Sequence, residues 1–333
     1  MQSRREFLRD VAAAATVGYV GLRPRPAAAE PPPETTIKLA HQIGSTCGAP
    51  QDVAEDLLHS EGFTDVRYVN VGLGPGIYEV LTSGEVDIVM TFGPPVIIRI
   101  DAGEPIVLLA GVHIGCLELF GTDRVRTIRD LKGKKVATPG LGSAPHVFLA
   151  SMVAYVGLDP NNDITWVVHS TSESKRLLTE GKIDAFIIGP PSSYEMRAEK
   201  IGHVAVNMTT DRPWSQYFCC MLSGNREFVR KQPVATKRAV RAILKASDLC
   251  ALEPDRVARL MLDKGYTKNY DHALQTLKEL PYRAWRTHDP EDTVRFFSLR
   301  LHEAGMIKSS PQKILAQGTD WRFLNELKKE LKG

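Results

Sequence analysis

The residues best suited to chemistry stand at the predicted start of a helix, in the run Gly142-Ser143-Ala144. The first N–H groups of a helix have no partner within it, and the helix dipole adds partial positive charge there. Gly142 leaves room for a ligand oxygen, and the Ser143 hydroxyl can donate a hydrogen bond. The run therefore predicts a site for an anionic or strongly polar group, although Ser143 could instead cap the helix. His146, on the same turn, either supplies a proton to an anionic ligand or faces solvent.

A second pattern occurs twice in the chain. Leu81 to Asp87 leads into Gly93-Pro94-Pro95, and the similar run Leu178 to Asp184 leads into Gly189-Pro190-Pro191. Each copy predicts a helix end, a glycine stop, a buried strand and a tight turn into the next helix. The repeat indicates two α/β lobes with matching strand-end loops, and a small molecule held between them. An accidental echo of a common pattern is the alternative interpretation.

Ligands collect at the carboxyl ends of strands in open α/β sheets. The predicted ligand-binding residues are therefore strand-end and helix-start residues of both lobes: Gln42, Ser45, Thr46, Thr91, Phe92, Gly93, Gly142, Ser143, Ala144, His146, Gly189, Pro190 and Ser192. Trp214, beside the predicted return to the first lobe, completes the set. Its ring could cover a flat ligand or pack in a hinge.

Motifs for catalysis and for metal binding are missing from the sequence. There is no H-E-x-x-H, no C-x-x-C, no phosphate-binding P-loop and no G-x-S-x-G, and the nine histidines lack metal-ligand spacing. We therefore predict no catalytic residue, no metal and no cofactor. The five cysteines are an odd number, so at least one lacks a partner in the chain. Cys47 and Cys116 each follow a predicted strand and are expected to be buried, although one could line the cleft.

The elements that must position these residues predict an α/β fold. Short strands that are apolar throughout alternate with helices, which is typical of parallel sheets covered on both faces. Residues 36–120 with 217–333 are predicted to form lobe I, and 121–216 lobe II. From about Asn225 the spacing of apolar residues predicts helices only. Asp87 and Asp184 recur before the buried strands, and we interpret them as structural.

The first 29 residues predict a twin-arginine export signal. Ser3 to Leu8 contains the arginine pair, Val11 to Leu22 is apolar but too short to span a bilayer, and Ala27 to Ala29 offers a cleavage site. A Pro-rich spacer, residues 30–35, follows. Removing five arginines and two acidic residues with the signal leaves a formally neutral chain. This charge excludes a typical nucleic-acid-binding protein.

Several segments resemble bacterial ABC-importer solute-binding proteins, above all the sulfonate, taurine and nitrate binders together with the thiamine-precursor type. The segments are Thr127 to Ala137, Gly140 to Ala144, Gly181 to Ala185, Gly305 to Lys308 and Asp320 to Leu324. The resemblance covers nearly all of the chain after the signal. It implies a two-lobed, type II Venus-flytrap fold, in which each lobe is a mainly parallel sheet flanked by helices. It further implies capture of a ligand between the lobes and delivery to an inner-membrane permease, without chemistry, but it does not fix the ligand. With the export signal, the repeat and the helix-start run, it predicts a periplasmic protein, expected to be a monomer, for a small organic solute with an anionic or strongly polar head.

Two departures from this family bear on function. The loop Gly189-Pro190-Pro191 is uncharged where relatives often carry Trp and Asp. The run Tyr217-Phe218-Cys219-Cys220 resembles only faintly the Cys-rich motif of eukaryotic pyrimidine-synthesis relatives. An enzyme of that kind on the same scaffold is one alternative function. A partner that presents its ligand to a membrane sensor is the other.

Overall fold

The structure is a computed structural model that describes residues 34–43, 45–72 and 74–331. The predicted export signal and most of the Pro-rich spacer lie outside these residues. Within them, no helix combines the length and apolar character needed to cross a membrane.

Strands and helices alternate through the first two thirds of the chain, and helices follow. The strands are β1 (Thr36–Gln42), β2 (Asp65–Val71), β3 (Ile88–Phe92), β4 (Ile106–Ile114), β5 (Glu118–Gly121), β6 (Lys134–Thr138), β7 (Ile164–Val168), β8 (Ala185–Ile188), β9 (His203–Asn207) and β10 (Phe218–Asn225). The helices up to β10 are α1 (Ala49–Asp52), α2 (Glu55–Ser60), α3 (Gly76–Ser83), α4 (Gly93–Asp101), α5 (Ala144–Tyr155), α6 (Thr171–Thr179) and α7 (Ser192–Glu199). After β10 come α8 (Arg226–Lys231), α9 (Pro233–Leu252), α10 (Pro254–Asp263), α11 (Tyr270–Glu279), α12 (Ala284–Thr287), α13 (Pro290–Glu303), α14 (Pro311–Gly318) and α15 (Arg322–Glu330).

The strands form two mixed sheets, and the predicted α/β fold is confirmed. The first sheet has the order β2-β1-β3-β10-β4 and the second the order β7-β6-β8-β5-β9. In each sheet the early strands pair in parallel, and one strand pairs antiparallel with both of its neighbours. That strand is β10 in the first sheet and β5 in the second. Residues up to 120 were predicted to belong to lobe I, but Glu118–Gly121 is already a strand of the second sheet.

The repeated aspartates have the same structural task in both sheets. The Asp87 carboxylate accepts the backbone N–H of Lys38 on β1 at 2.8 Å. The Asp184 carboxylate accepts the backbone N–H of Lys135 on β6 at 2.9 Å. In each case the aspartate's own N–H donates back to the same lysine carbonyl. Each aspartate therefore fixes the next strand against its parallel neighbour, which confirms the structural interpretation of the repeat.

Helix α5 is buried on almost every side. The spacing of Phe148, Met152, Tyr155 and Val156 in the sequence predicts a single apolar stripe, but every residue from His146 to Ala154 is buried. The prediction of one buried face was wrong because α5 packs against the second sheet and also against α4 and α13. A helix that is apolar all round requires such cover.

Candidate functional site

A narrow, shallow cleft opens at the carboxyl ends of β1 and β3, and its empty space of about 330 Å³ includes open solvent. Its wall consists of Gln42, Ser45, Cys47, Gly48, Gln51, Asp52, Met90, Thr91, Phe92 and Cys220. Four of the predicted residues, Gln42, Ser45, Thr91 and Phe92, therefore share one cavity. All of the lining comes from the first sheet and the loops and helix attached to it.

The Gln51 side chain hydrogen-bonds to backbone groups and is therefore not free to bind a ligand. Its amide nitrogen donates to the Ala40 carbonyl, and its amide oxygen accepts the Met90 N–H at 2.6 Å. Strands β1 and β3 pair at only one position, Leu39 with Ile88. The side chain thus takes the place of a ladder bond where the two strands separate, and it holds the cleft open at its base.

A buried acid–imidazole pair forms one side of the cleft. The Asp52 carboxyl lies 2.9 Å from Nδ1 of His41, and both side chains are buried. Burial raises the pKa of Asp52 to about 6. The hydrogen bond to Asp52 raises the pKa of His41 above its ordinary value. Asp52 was not predicted as a site residue.

Two predicted hydroxyl groups have protein partners. Thr91 is buried, and its Oγ1 donates to the Tyr78 hydroxyl at 3.5 Å. Thr46 is buried as well, and its Oγ1 lies 3.1 Å from Oγ1 of Thr276 on α11. The Thr46 side chain therefore joins the first sheet's loop to the C-terminal helices, while Thr91 stays on the cleft wall.

The helix-start run lies at the N-terminus of α5, as predicted. The Ser143 hydroxyl does not cap the helix; it donates to the Gly140 carbonyl at 2.6 Å. Gly142 has a φ of 79°, a conformation that favours glycine. Pro145, in the first turn, has no N–H to offer. The backbone N–H groups of Ala144 and His146 are thus the donors left at this end.

His146 is a packing residue of α5. Its ring is buried edge-on against Trp166, with ring centroids 4.6 Å apart, and its Nδ1 accepts the Gly142 N–H at 3.1 Å. Burial lowers the pKa of His146 to about 4. At neutral pH the ring is therefore uncharged, and it stabilises the glycine turn instead of supplying a proton.

The two Gly-Pro-Pro loops follow β3 and β8. A Cβ on Gly93 would lie 2.9 Å from Sδ of Met221, and one on Gly189 would lie 3.0 Å from the Cys116 carbonyl oxygen. Both glycines allow close packing with a neighbouring strand or crossover. Pro190 and Ser192, like Gly189, stay outside the cleft wall on the second-sheet side.

Aromatic side chains pack where the part of the molecule built on the first sheet meets the part built on the second sheet. Phe92, at the end of β3, lies edge-on to Phe148 of α5, with centroids 5.8 Å apart. Trp214 is buried near the return crossover, 5.1 Å from the Tyr155 ring and 6.1 Å from the Phe296 ring. Trp214 is therefore buried by packing against neighbouring aromatic rings, and its predicted contact with a ligand stays a prediction.

The sequence matches the profile of the NMT1-like family over residues 30–261. The chain belongs to the NMT1-like family. The nitrate/nitrite binding protein NrtA of Synechococcus elongatus is 24% identical over 160 residues, which are 46% of this chain and 35% of that protein. The predicted resemblance to the nitrate and sulfonate group is thereby confirmed. The chain matches only about a third of that relative's length.

Solved structures of the same group share the fold of this NMT1-like protein. The periplasmic nitrate-binding protein NrtA from Synechocystis has a TM-score of 0.72 at 16% identity, and the match covers 91% of this chain and 90% of that one. The periplasmic aliphatic sulphonate binding protein SsuA from Escherichia coli has a TM-score of 0.66 at 19% identity, with 87% and 94% covered. At these identities the likeness shows the fold of the binding proteins.

A second, wider depression of this NMT1-like protein lies on its C-terminal helices. It has an empty volume of about 1100 Å³ and is lined by residues of α9 to α12 and their loops, including Leu277, Tyr282 and Arg286. It is broad and open, and its lining comes from the C-terminal helices and their loops and not from the ends of strands. We place the candidate site in the smaller cleft, because that cleft stands at the carboxyl ends of adjacent parallel strands.

One cluster of cysteine and histidine side chains in this NMT1-like protein was not predicted from the sequence. Cys47 and Cys220, both in the cleft wall, lie beside the buried His113. The signals available were that Cys47 follows a strand and that Cys219 and Cys220 are adjacent. Nothing in the spacing linked either feature to His113 on β4.

Proposed function

We propose that this protein captures a small organic solute in the β1–β3 cleft and delivers it to an ABC permease of the inner membrane. The observation that carries the proposal is the cleft itself, which lies at the carboxyl ends of adjacent parallel strands. The relatives named as nitrate-binding and sulphonate-binding proteins support it. The solute is bound without chemical conversion, and the protein acts as a monomer.

The cleft wall favours a solute with a polar head and an apolar body. Gln42, Ser45 and Thr91 offer hydrogen bonds, whereas Met90 and Phe92 offer apolar surface. No lysine or arginine is among the lining residues. An anionic head would therefore depend on N–H and hydroxyl donors, including those at the start of α5.

Binding is coupled to the approach of the two halves. Phe92 already touches Phe148 across the junction, and Gly142, Ser143 and Ala144 belong to the same helix as Phe148. In our proposal the solute completes its contacts with the α5 N-terminus and the Gly189 loop when the halves close. A closed, liganded form would then be the one that the permease recognises.

The protein works in the periplasm in this proposal. The support is the arginine pair at Arg4 and Arg5, the short apolar stretch and the alanine cleavage site, together with the periplasmic location in the names of the solved relatives. The twin-arginine pathway would export the chain and the signal would be removed.

A thermal-shift screen followed by calorimetry tests the proposal. The panel pairs solutes of the same body with a charged or an uncharged head, such as alkanesulfonates with their sulfonamides, and adds nitrate and pyrimidine precursors. A true ligand at about a hundred times its Kd should stabilise the fold by about 2.7 kcal/mol. The comparison within each pair then reports the charge of the head directly.

Thr91→Val provides the matched test of the cleft. Losing one hydroxyl should weaken binding of the ligand about 5- to 10-fold, which corresponds to about 1 kcal/mol. Thr165→Val, on an exposed position of β7, should leave affinity unchanged. Equal affinities in both variants, or a ligand that protects the C-terminal depression instead, would move the site away from this cleft.

A further inference from the structure

We propose that Cys47, His113 and Cys220 form a binding site for a thiophilic metal ion such as Zn²⁺. The Sγ atoms of the two cysteines and a ring nitrogen of His113 all lie within 4.8 Å of one another. All three residues are buried. This proposal is independent of solute capture, because it rests on side chains at the base of the cleft and not on any ligand.

The sheet register brings the ligands together. His113 on β4 pairs directly with Cys220 on β10 in the antiparallel ladder. Directly opposed residues of an antiparallel pair have neighbouring side chains. Cys47 approaches from the loop after β1 and lines the same cleft. Three separate segments therefore converge on one point.

The His113 ring is oriented as a metal ligand would be. It is completely buried, and its Nδ1 lies 3.1 Å from the Ile114 carbonyl oxygen, to which it donates. Among the described residues, Nε2 has no hydrogen-bond partner. A metal-bound histidine commonly donates its other N–H to a backbone carbonyl in this way. A buried polar atom without a partner is costly, and an ion bound at Nε2 would remove that cost.

Cys116 has a backbone conformation that requires an explanation. Its φ is 90°, in the region that residues other than glycine rarely adopt. The preceding Gly115 also has a positive φ, and the Cys116 N–H donates to Oγ1 of Thr209 at 3.3 Å. The Cys116 thiol neighbours Cys219, Cys220 and Cys47, but it is not one of the donors that all lie within 4.8 Å of one another. Such strain is typical of functional positions.

The donor set decides the class of ion. Thiolates and imidazole are soft or borderline ligands that suit Zn²⁺ and Cu⁺, whereas Mg²⁺ and Ca²⁺ require oxygen ligands. Two thiolates with one imidazole are a known zinc set that leaves the fourth tetrahedral position open. Cys47 and Cys220 are free, as is Cys250 on α9. Cys250 is buried and stands outside the cluster, so it offers a matched control.

The test uses the full-length protein, purified under anaerobic and metal-free conditions, with Zn²⁺ and Co²⁺ as probes. We expect one equivalent of tightly bound metal by mass spectrometry. We also expect a thiolate-to-cobalt charge-transfer band in the Co²⁺ form. Cys47→Ser, Cys220→Ser and His113→Gln should each weaken Zn²⁺ binding by at least 10- to 100-fold, the loss that removal of even an outer partner causes. Cys250→Ser should bind like the wild type.

The wild-type spectra keep the test decisive even if a variant fails to fold. Less than stoichiometric metal, or a Co²⁺ spectrum without the thiolate band, would overturn the proposal. So would a disulfide among Cys47, Cys116 and Cys220 in protein isolated without reductant, or unchanged affinity in folded Cys47→Ser and Cys220→Ser proteins. The solute titrations described above give an independent result, so the two proposals can fail separately.

Discussion

Asp52 introduces an ionisable group into a cleft that the sequence predicted to be lined by neutral donors and acceptors. The carboxyl is buried beside His41, and the pKa of each group is raised. A raised pKa means that each group binds its proton more tightly in the native protein than in the unfolded chain. Both groups therefore contribute stability at low pH and lose it as the pH rises.

The raised pKa of Asp52 predicts that the stability of the native protein decreases as the pH rises. With a folded pKa of about 6 against an ordinary 3.8, Asp52 should cost the native state up to about 3 kcal/mol as the pH rises from 4 to 7. Urea denaturation of the wild type and of Asp52→Asn at several pH values measures this. The difference in unfolding free energy between the two proteins should move in favour of the variant with increasing pH. A difference that does not change with pH would contradict the assignment.

Helix α5 is the element on which the junction of the two halves depends. Phe148 lies edge-on between Phe92, at 5.8 Å, and Phe297 of α13, at 5.4 Å. The three rings belong to the first sheet, the second-sheet half and the C-terminal helices. The aromatic contacts therefore join all three parts of the molecule through one side chain.

Phe148→Ala should lower the unfolding free energy by about 3–5 kcal/mol, because it removes a completely buried ring and leaves a cavity at the junction. Phe148→Leu should cost less, since it keeps most of the volume. Leu141→Ala, at a residue that is 65% exposed just before the same helix, is the control and should have little effect. Chemical denaturation checks all three, and comparable losses for Leu141→Ala and Phe148→Ala would refute the role of α5.

At the scale of the whole molecule, polar contacts tie the second-sheet half to the C-terminal helices. Arg197 of α7 donates to both carboxylate oxygens of Glu279 on α11, at 2.9 and 2.7 Å. Arg197 also lies 3.7 Å from the buried Glu118 carboxylate, and burial raises the pKa of Glu118. On another side, the Asn161 amide donates to the Ala304 carbonyl at 3.1 Å.

The two partners of this ion pair should differ in importance. Glu279→Gln removes a half-exposed partner and should cost at most about 1 kcal/mol. Arg197→Gln should cost more at neutral pH, because it also leaves Glu118 buried without a counter-charge. Thermal and urea denaturation at pH 7 measure both variants, and repetition at pH 4 should narrow the gap as Glu118 becomes protonated. Equal losses at pH 7 would show that Glu118 does not depend on Arg197.

The sequence predicted much of this fold because its signals are local. The paired runs ending in Asp87 and Asp184 mark equivalent strands, and helices α9 and α10 begin and end where the apolar spacing and their prolines place them. The strand-end rule also placed Gln42 and Thr91 on one cleft wall. By contrast, the contact of His113 with Cys47 and Cys220 depends on the register between β4 and β10. No local pattern encodes that register. The environment of His146 on α5 likewise depends on Trp166, which lies on β7.

Because α5 is buried by helices from both neighbouring segments, the middle of the chain should not be soluble by itself. A fragment containing only the middle segment, from β5 to the short turn at Trp214, would retain every strand of the second sheet. It would lack α4 and α13, so Phe148 and its apolar neighbours would be exposed to water. Such an excised piece should aggregate, and adding the remaining segments in trans should restore its solubility.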